Sequence, residues 1–447
     1  MLSHMPSRIV DRLTPVQVLV GGFVLVILIG SVLLSLPFAT SSGKFNSYID
    51  ALFTAASATT TTGLIVVDTG TFYNLFGQII ILVLFQMGGL GYMVFIVLIV
   101  TGLRQRASLK TRFLFKEAMA GARLGETVNY ARAVVIFSII FESIGAILLY
   151  SVFKNDFSAP QAIYHAIFHS VSAFCTAGFS TFTTNFQAYQ LSWFAHLVLI
   201  FCIAGGIGFF VLHEGFNYLV ARFKGKRQSI SVHSRLVILA IITTIGLSFL
   251  IIYLSQSGLF TMKKNLLVSI FQSISALTGT GFSTININEM SLLGIFILIL
   301  LMFIGPGPGS TAGGIKITSF SIILFKISHF LLGRSDINIF KKRIPKSSIE
   351  KAHVIAVCAL ILLIIDIIVL SITEKTSFIK IVFEVTSAFA TAGLSMGITS
   401  SLSVLSKIVL SITMLIGRVG PLAIGLSLVG LPKPVTYRYP EEDVLVG

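Results

Sequence analysis

The stretch "FTAASATTTTGL" (residues 53–64) ends a short apolar run with four threonines and a glycine. The same order of residue types returns as "FHSVSAFCTAGF" (168–179), "FQSISALTGTGF" (271–282) and "FEVTSAFATAGL" (383–394). All four obey F-x3-S-A-x4-G without a gap, from Phe53, Ser57, Ala58 and Gly63 to Phe383, Ser387, Ala388 and Gly393. Leu64, Phe179, Phe282 or Leu394 follows the glycine directly. One match would carry little weight, but four in register make an internal fourfold repeat.

The surrounding chain says where these repeats lie. Of 447 residues, 55% are hydrophobic and 11% charged, whereas soluble domains carry about 25% charged residues. The composition is that of a polytopic membrane protein. Eight segments reach the roughly 20 apolar residues that a bilayer crossing takes. They lie near 16–38, 75–102, 132–153, 191–221, 236–256, 292–332, 353–373 and 404–430. Four shorter apolar stretches, near 50–60, 163–174, 266–277 and 380–390, fall one within each successive pair. At about 1.5 Å per residue each covers half a membrane thickness. The apolar run from Val16 is too long for a signal h-region and lacks an A-x-A exit, so no cleavable leader is expected.

The net charge of +15 would suggest nucleic acid in a soluble protein, but its distribution points to topology. Arg104, Arg106, Lys110, Arg112, Lys116, Arg123 and Arg132 follow the second span. Arg222, Lys224, Lys226, Arg227 and Arg235 follow the fourth, and Arg334, Lys341, Lys342, Arg343, Lys346 and Lys351 the sixth. The opposite loops hold few, such as Lys44, Lys154, Lys263 and Lys264. Both termini are therefore expected in the cytoplasm, with all four half-length stretches on the outer side. No nucleic-acid partner is needed; the basic faces suit a cytosolic partner or anionic lipid. Cys175, Cys202 and Cys358 lack C-x-x-C spacing, so they read as lone buried thiols rather than a disulfide or metal framework.

A loop at membrane depth is tolerated only where it is buried in protein or lines an aqueous cavity. Four related loops in parallel orientation surround an axis. Each half-helix points its C-terminus inward, and that end carries about half an elementary negative charge. Four such ends favour a cation. Glycine then permits the conformation that turns backbone carbonyls toward the axis, and carbonyl rings replace a hydration shell in potassium-type filters. The candidate filter is Thr60, Thr61, Thr62 and Gly63; Cys175, Thr176, Ala177 and Gly178; Thr278, Gly279, Thr280 and Gly281; Ala390, Thr391, Ala392 and Gly393.

The outgoing spans carry a looser repeat: "QMGGLGY" (86–92), "IAGGIGF" (203–209), "TAGGIKI" (311–317) and "LIGRVGP" (415–421). From filter glycine to Gly89, Gly206, Gly314 and Arg418 the distances are 26, 28, 33 and 25 residues. The third repeat thus holds extra residues, within "GPGPGSTAGGIK" (305–316), whose five glycines and two prolines cannot continue a helix. The sixth span should break near mid-membrane. The stretch lacks G-K-[ST] and a preceding strand, so a nucleotide site is not expected. A packing kink is the bland reading. An insertion in one repeat only, directly below the filter, favours a gate built from Gly305, Gly307, Gly309, Ser310, Thr311, Gly313, Gly314 and Lys316.

Arg418 breaks the glycine column of the other repeats. A charge at membrane depth costs at least about 2.5–3.5 kcal/mol and is functional by default. It is expected to face the pore below the filter and bond gate-loop carbonyls or hydroxyls; pairing with Glu142 or Asp366 is the alternative. Lys316, in the column of Gly91, Gly208 and Gly420, either caps the loop or snorkels to the cytosol. Glu142 and Asp366 read as structural pairing or a subunit interface. Glu384, beside the column of Thr54, His169 and Gln272, reads as a loop-orienting residue, and His213 with Glu214 as polar packing.

The four motifs, their single glycines and the interrupted third outgoing span resemble the membrane subunit of the Trk/Ktr/HKT superfamily of potassium transporters, most closely its bacterial KtrB-type members. The likeness runs from about Thr14 to Gly447. It implies an all-α polytopic fold of four M1–P–M2 repeats with pseudo-fourfold symmetry around one pore, eight spans and both termini cytoplasmic. The repeats are expected at 1–105, 106–227, 228–345 (with gate loop 305–316) and 346–447. The resemblance implies K+ uptake across the bacterial cytoplasmic membrane. Sodium stimulation is expected, with Na+ as an activator; co-transport of Na+ is the open alternative. Glycine at all four filter positions is similar to the potassium-selective members. It also implies a homodimer with the C-terminus at the interface, and a cytosolic KtrA-type ring of nucleotide-binding regulatory subunits. No nucleotide is expected on this chain itself. The apolar end of "YRYPEEDVLVG" reads as a docking segment. The alternative function is a coupled secondary transporter, a sodium/potassium symporter or one for another solute. Parallel rather than inverted repeats argue against it. An enzyme is not expected, since no catalytic triad, paired carboxylates or H-E-x-x-H lies at membrane depth.

Overall fold

Apolar periodicity and hydroxyl caps build the helices in order. A computed structural model describes residues 15–91, Val94, 127–429, Pro440 and Glu442. Helix α1 (Pro15–Ser35) is followed by the shorter α2 (Tyr48–Thr59) and then α3 (Leu75–Leu90). Next come α4 (Thr127–Phe153), α5 (Ala159–Phe174), α6 (Trp193–Ile207) and α7 (Phe209–Phe223). The third set is α8 (Val232–Ser255), α9 (Met262–Thr278), α10 (Leu292–Ile304) and α11 (Ile317–Leu331). The last is α12 (Lys346–Thr373), α13 (Phe378–Ala390), α14 (Val404–Val419) and α15 (Pro421–Val429). A small hairpin, β1 (Asn338–Ile339) and β2 (Lys342–Arg343), joins α11 to α12. Most of the C-terminal docking segment and most of the first basic cluster lie outside the described residues.

Start signals are local. Asn74, Ser231, Ser291 and Ser403 each accept a hydrogen bond from an N–H in the first turn of α3, α8, α10 and α14, which satisfies one orphan donor of the helix end. Among the described residues, α1, α4, α8 and α12 contain segments long and apolar enough to cross a membrane. The short helices α2, α5, α9 and α13 lie inside these. Their motif residues Phe53, Phe168, Phe271 and Phe383 are at most 1% exposed, and Ala58, Ala173, Ala276 and Ala388 are fully buried. In a bilayer such burial gains contact rather than transfer energy, so small residues that permit close approach decide the packing.

The outgoing helices differ from expectation. The sequence predicts one break, in the third repeat, whereas α6 meets α7 at a 99° bend and α14 also stops, at Gly420. Three outgoing helices break in one column, at Gly91, Gly208 and Gly420, with φ of 78°, 103° and 101°. In the third repeat α10 already ends at Ile304, and the column residue Lys316, at φ 80°, instead precedes α11. The cause at Gly208 is tertiary. Segment 305–316 lies against the bend, and Phe209 N–H donates to the Gly309 carbonyl at 3.1 Å. An isolated glycine between apolar runs gives no such sign, because helices tolerate it.

Candidate ion-conducting site

The four repeat motifs end in the same backbone turn. Thr61, Thr176, Gly279 and Thr391, two residues before each motif glycine, all sit in the left-handed region (φ 56°, 51°, 67° and 49°). Threonine there is strained by its branched Cβ. The motif glycines follow at φ 87°, 68°, 80° and 74°. Alternation between left-handed and ordinary residues brings successive carbonyl oxygens to one side of a strand.

The glycines form a ring that closes on itself. A side-chain carbon built at Gly63 would overlap the Ala177 carbonyl oxygen, and one at Gly178 that of Thr280. At Gly281 the obstacle is the Ala392 oxygen, and at Gly393 the Thr62 oxygen. Each loop thus abuts the residue just before the next glycine, in the order of the chain. Only hydrogen fits at these four positions.

The motif serines hold the loops in shape. The carbonyls of Ser57, Ser172, Ser275 and Ser387 accept from the N–H of Thr62, Ala177, Thr280 and Ala392 at 2.7, 2.8, 3.0 and 2.8 Å. Ser172 and Ser275 also donate through Oγ to the Phe179 and Phe282 carbonyls, at 2.8 and 2.6 Å. Ser57 Oγ instead accepts from Gly63 N–H at 3.1 Å. Sequence reasoning missed this serine clamp, although its invariance across the repeats was the available signal. Thr60 and Thr278 bond back to their own helices, through the Ala56 and Ile274 carbonyls at 2.7 Å, and pair with Thr62 and Thr280.

On one side of the ring lies a cavity of about 430 Å³ lined by all four glycines and by Ile65, Ser180, Ser283 and Ser395, two residues beyond them. On the other side sits segment 305–316. Its tip, Thr311 to Gly313, meets the left-handed residue of every loop. Thr61 Oγ1 donates to the Thr311 carbonyl at 2.8 Å, and Thr176 Oγ1 pairs with Thr311 Oγ1 at 2.9 Å. Gly313 N–H donates to Thr391 Oγ1 at 2.7 Å. A carbon built on Gly279 would lie 3.1 Å from Ala312 Cβ. Further back, Gly307 N–H donates to the Gly206 carbonyl at 2.9 Å and Gly314 N–H to that of Gly417 at 3.3 Å.

Two cations hold the segment. The Arg418 guanidinium donates to the Thr311 carbonyl and to the carbonyls of Gly88 and Gly89, the last at 3.0 Å. Lys316 Nζ donates to the carbonyls of Ala312 and Gly313, the latter at 3.0 Å, so it caps the segment. Its own φ of 80° is one that only its glycine counterparts adopt without strain. Glu142 accepts from Gln86 at 2.8 Å and Asp366 from Thr413 at 2.6 Å; neither pairs with Arg418. Glu384 accepts from Ser395 and Thr399. Glu214 accepts from Ser231 and Ser234, and His213 bonds Asn217 at 3.1 Å.

The glycine columns of the outgoing helices follow from this packing. Gly88, Gly205 and Gly417 face the carbonyls of Thr59, Phe174 and Phe389 near the end of their own short helix, too close for any side chain. The next column opens onto the following repeat at Gly89, which faces Cys175, and at Gly206, which faces Thr278. Gly314 instead lies between Ala390 of the following repeat and Met302 and Gly305 of its own. Arg418 occupies this column in the fourth repeat. The displaced third-repeat Gly313 faces Gly417 and Thr391 instead. Cys175 and Cys202 are buried free thiols and Cys358 is half-buried, and no cluster of metal-ligating side chains occurs among the described residues.

Residues 9–438 match the TrkH family, described as cation transport protein. The chain is 39% identical to Ktr system potassium uptake protein B of Bacillus subtilis, over 98% of its own length and 97% of that protein. It is 34% identical to potassium/sodium uptake protein NtpJ of Enterococcus hirae over the full length of both. The crystal structure of the potassium transporter TrkH from Vibrio parahaemolyticus shares the fold, with a TM-score of 0.71 at 20% identity, covering 92% of this chain and 85% of that one.

Proposed function

The chain belongs to the TrkH family of cation transport proteins, and from that membership in a multi-pass membrane family we propose that it takes up potassium through the glycine ring. The observation that carries the reading is ring closure in the order Gly63, Gly178, Gly281, Gly393. A closed ring of backbone oxygens at membrane depth can replace a cation's hydration shell without placing a fixed charge in its path. Potassium uptake is what the Bacillus subtilis relative is named for.

In this reading, each set of long helix, short helix, loop and outgoing helix is one M1–P–M2 repeat, giving eight spans around one pore with both termini in the cytoplasm. The domains are 1–105, 106–227, 228–345 and 346–447. The 430 Å³ cavity is the outer mouth. The filter comprises Thr60 to Gly63, Cys175 to Gly178, Thr278 to Gly281 and Ala390 to Gly393. Segment 305–316 is the gate, resting in its blocking position against all four loops and held there by Arg418 and Lys316. The membrane potential drives flux. Sodium stimulates that flux in this reading; the Enterococcus hirae relative is named a potassium/sodium uptake protein. A homodimer regulated by a cytosolic nucleotide-binding ring completes the reading.

Rubidium and potassium uptake into proteoliposomes tests it, with Gly281→Ser alongside. Potassium-selective uptake that weakens in the variant is the expected result. Uptake of another solute with no alkali-cation flux would overturn the proposal.

A further inference from the structure

A second set of contacts holds the cavity side of the loops. One residue after each motif phenylalanine stand Thr54, His169, Gln272 and Glu384, the last three fully buried. Two residues beyond each ring glycine stand Ile65, Ser180, Ser283 and Ser395, all lining the cavity. In three repeats these columns are tied side chain to side chain. His169 Nε2 lies 3.0 Å from Ser180 Oγ, Gln272 Nε2 donates to Ser283 Oγ at 3.0 Å, and Ser395 Oγ donates to Glu384 at 2.8 Å.

The histidine fits the same role. Its Nδ1 faces the His165 carbonyl at 2.8 Å, which can only accept, so Nδ1 carries the proton and neutral Nε2 accepts from Ser180. Each serine also accepts the N–H two residues on, from Phe182, Ile285 and Gly397 at 3.0, 3.4 and 2.9 Å. The chain just beyond the glycine is thereby fixed in three repeats.

The first repeat has no such strut. Ile65 offers no hydroxyl, and Thr54 Oγ1 turns back to the Asp50 carbonyl at 2.8 Å. The fourth leans on its strut most. Ser387 Oγ, the counterpart of the clamping Ser172 and Ser275, has no hydrogen-bond partner among the described residues. Glu384 meanwhile takes hydroxyls from both Ser395 and Thr399.

We propose that His169, Gln272 and Glu384 are selectivity-positioning residues, which brace three of the four loops through Ser180, Ser283 and Ser395 and leave the loop at Ile65 without that brace. The inference rests on the filter reading above. A ring that can contract accommodates a smaller cation, and struts behind it resist contraction. A purely electrostatic role of Glu384 would scale all monovalent cations alike, whereas a positioning role changes their ratio.

The test is paired rubidium and sodium uptake in proteoliposomes by the full chain, Glu384→Ala, Glu384→Gln, Gln272→Ala and the double variant Thr54→Gln/Ile65→Ser. Glu384→Ala is expected to lower the rubidium-to-sodium ratio roughly tenfold, the worth of one charge-assisted hydrogen bond. Glu384→Gln keeps one accepting oxygen and should recover part of it. Gln272→Ala should lower the ratio less, and the double variant, which builds the missing strut, should raise it. If Glu384→Ala fails to reach the membrane, Gln272→Ala and the double variant decide alone. Equal scaling of both cations in every variant overturns the inference. Absence of rubidium uptake by the unaltered chain would instead overturn the filter reading.

Discussion

Arg418, on α14, donates to the backbone carbonyl of Thr311, 107 residues away at the tip of segment 305–316. The same guanidinium reaches Gly88 and Gly89 at the end of α3. One side chain therefore ties the segment to the first and fourth repeats together. Its planar fork suits several carbonyls at once, which a lysine ammonium would not match.

Removing that tie should free the segment. A hydrogen bond to a charged group is worth about 1.5–3 kcal/mol, so Arg418→Ala should shift the resting equilibrium of the segment by at least roughly tenfold. Rubidium flux should rise or its control loosen, with Arg418→Lys intermediate. Transport and ion selectivity that stay at the unaltered level would rule out this role.

Arg418 holds Thr311 and Lys316 holds the adjacent Ala312 and Gly313, so their effects should not add. Lys316→Gly keeps a backbone that glycine prefers at φ 80° while removing the donors to Ala312 and Gly313. In a double-mutant cycle on rubidium flux, a coupling energy of about 0.5–3 kcal/mol is expected. Strict additivity would separate the two residues functionally.

The left-handed column makes a directional prediction. Gly279 is the unstrained member, and it lies against Ala312. Gly279→Thr should cost about 1–2 kcal/mol for the backbone and also push on the segment. Thr61→Gly relieves strain but deletes the hydroxyl that holds Thr311. Thermal unfolding in detergent should therefore favour Thr61→Gly over Gly279→Thr, while both alter flux. The opposite order of stability would refute the strain argument.

Helix glycines should divide sharply by what they face. Gly417→Ala drives a methyl into the Phe389 carbonyl and should prevent correct assembly or strongly reduce thermal stability. Gly21→Ala meets nothing within 4 Å and should be neutral or gain about 0.5–1 kcal/mol. Comparable melting temperatures for the two variants would contradict the close approach of α13 and α14.

Residue pattern alone marked the long first helices, the four short helices and the location of the candidate site, but not where the outgoing helices break. Hydrophobic length marks the long helices, and F-x3-S-A-x4-G places four equivalent turns, because each turn needs small residues and a glycine at fixed offsets. The proline-glycine segment also declared itself, since neither residue can continue a helix. Tertiary structure alone decided how these parts meet. That Gly63 abuts Ala177, and Gly393 closes on Thr62, is a relation between distant strands with no local signature. The bend at Gly208 likewise exists because Gly309 is there to accept the freed N–H. Arg418 could be recognised as exceptional from its column and expected to meet carbonyls of segment 305–316. That these include Thr311, with Gly88 and Gly89 besides, could not be read, because backbone carbonyls carry no residue type. The alternative partners Glu142 and Asp366 are bonded elsewhere, by Gln86 and Thr413. Local residue chemistry sets which turns and helices form. Which carbonyls converge, and what rests beneath them, depends on contacts between segments a hundred or more residues apart.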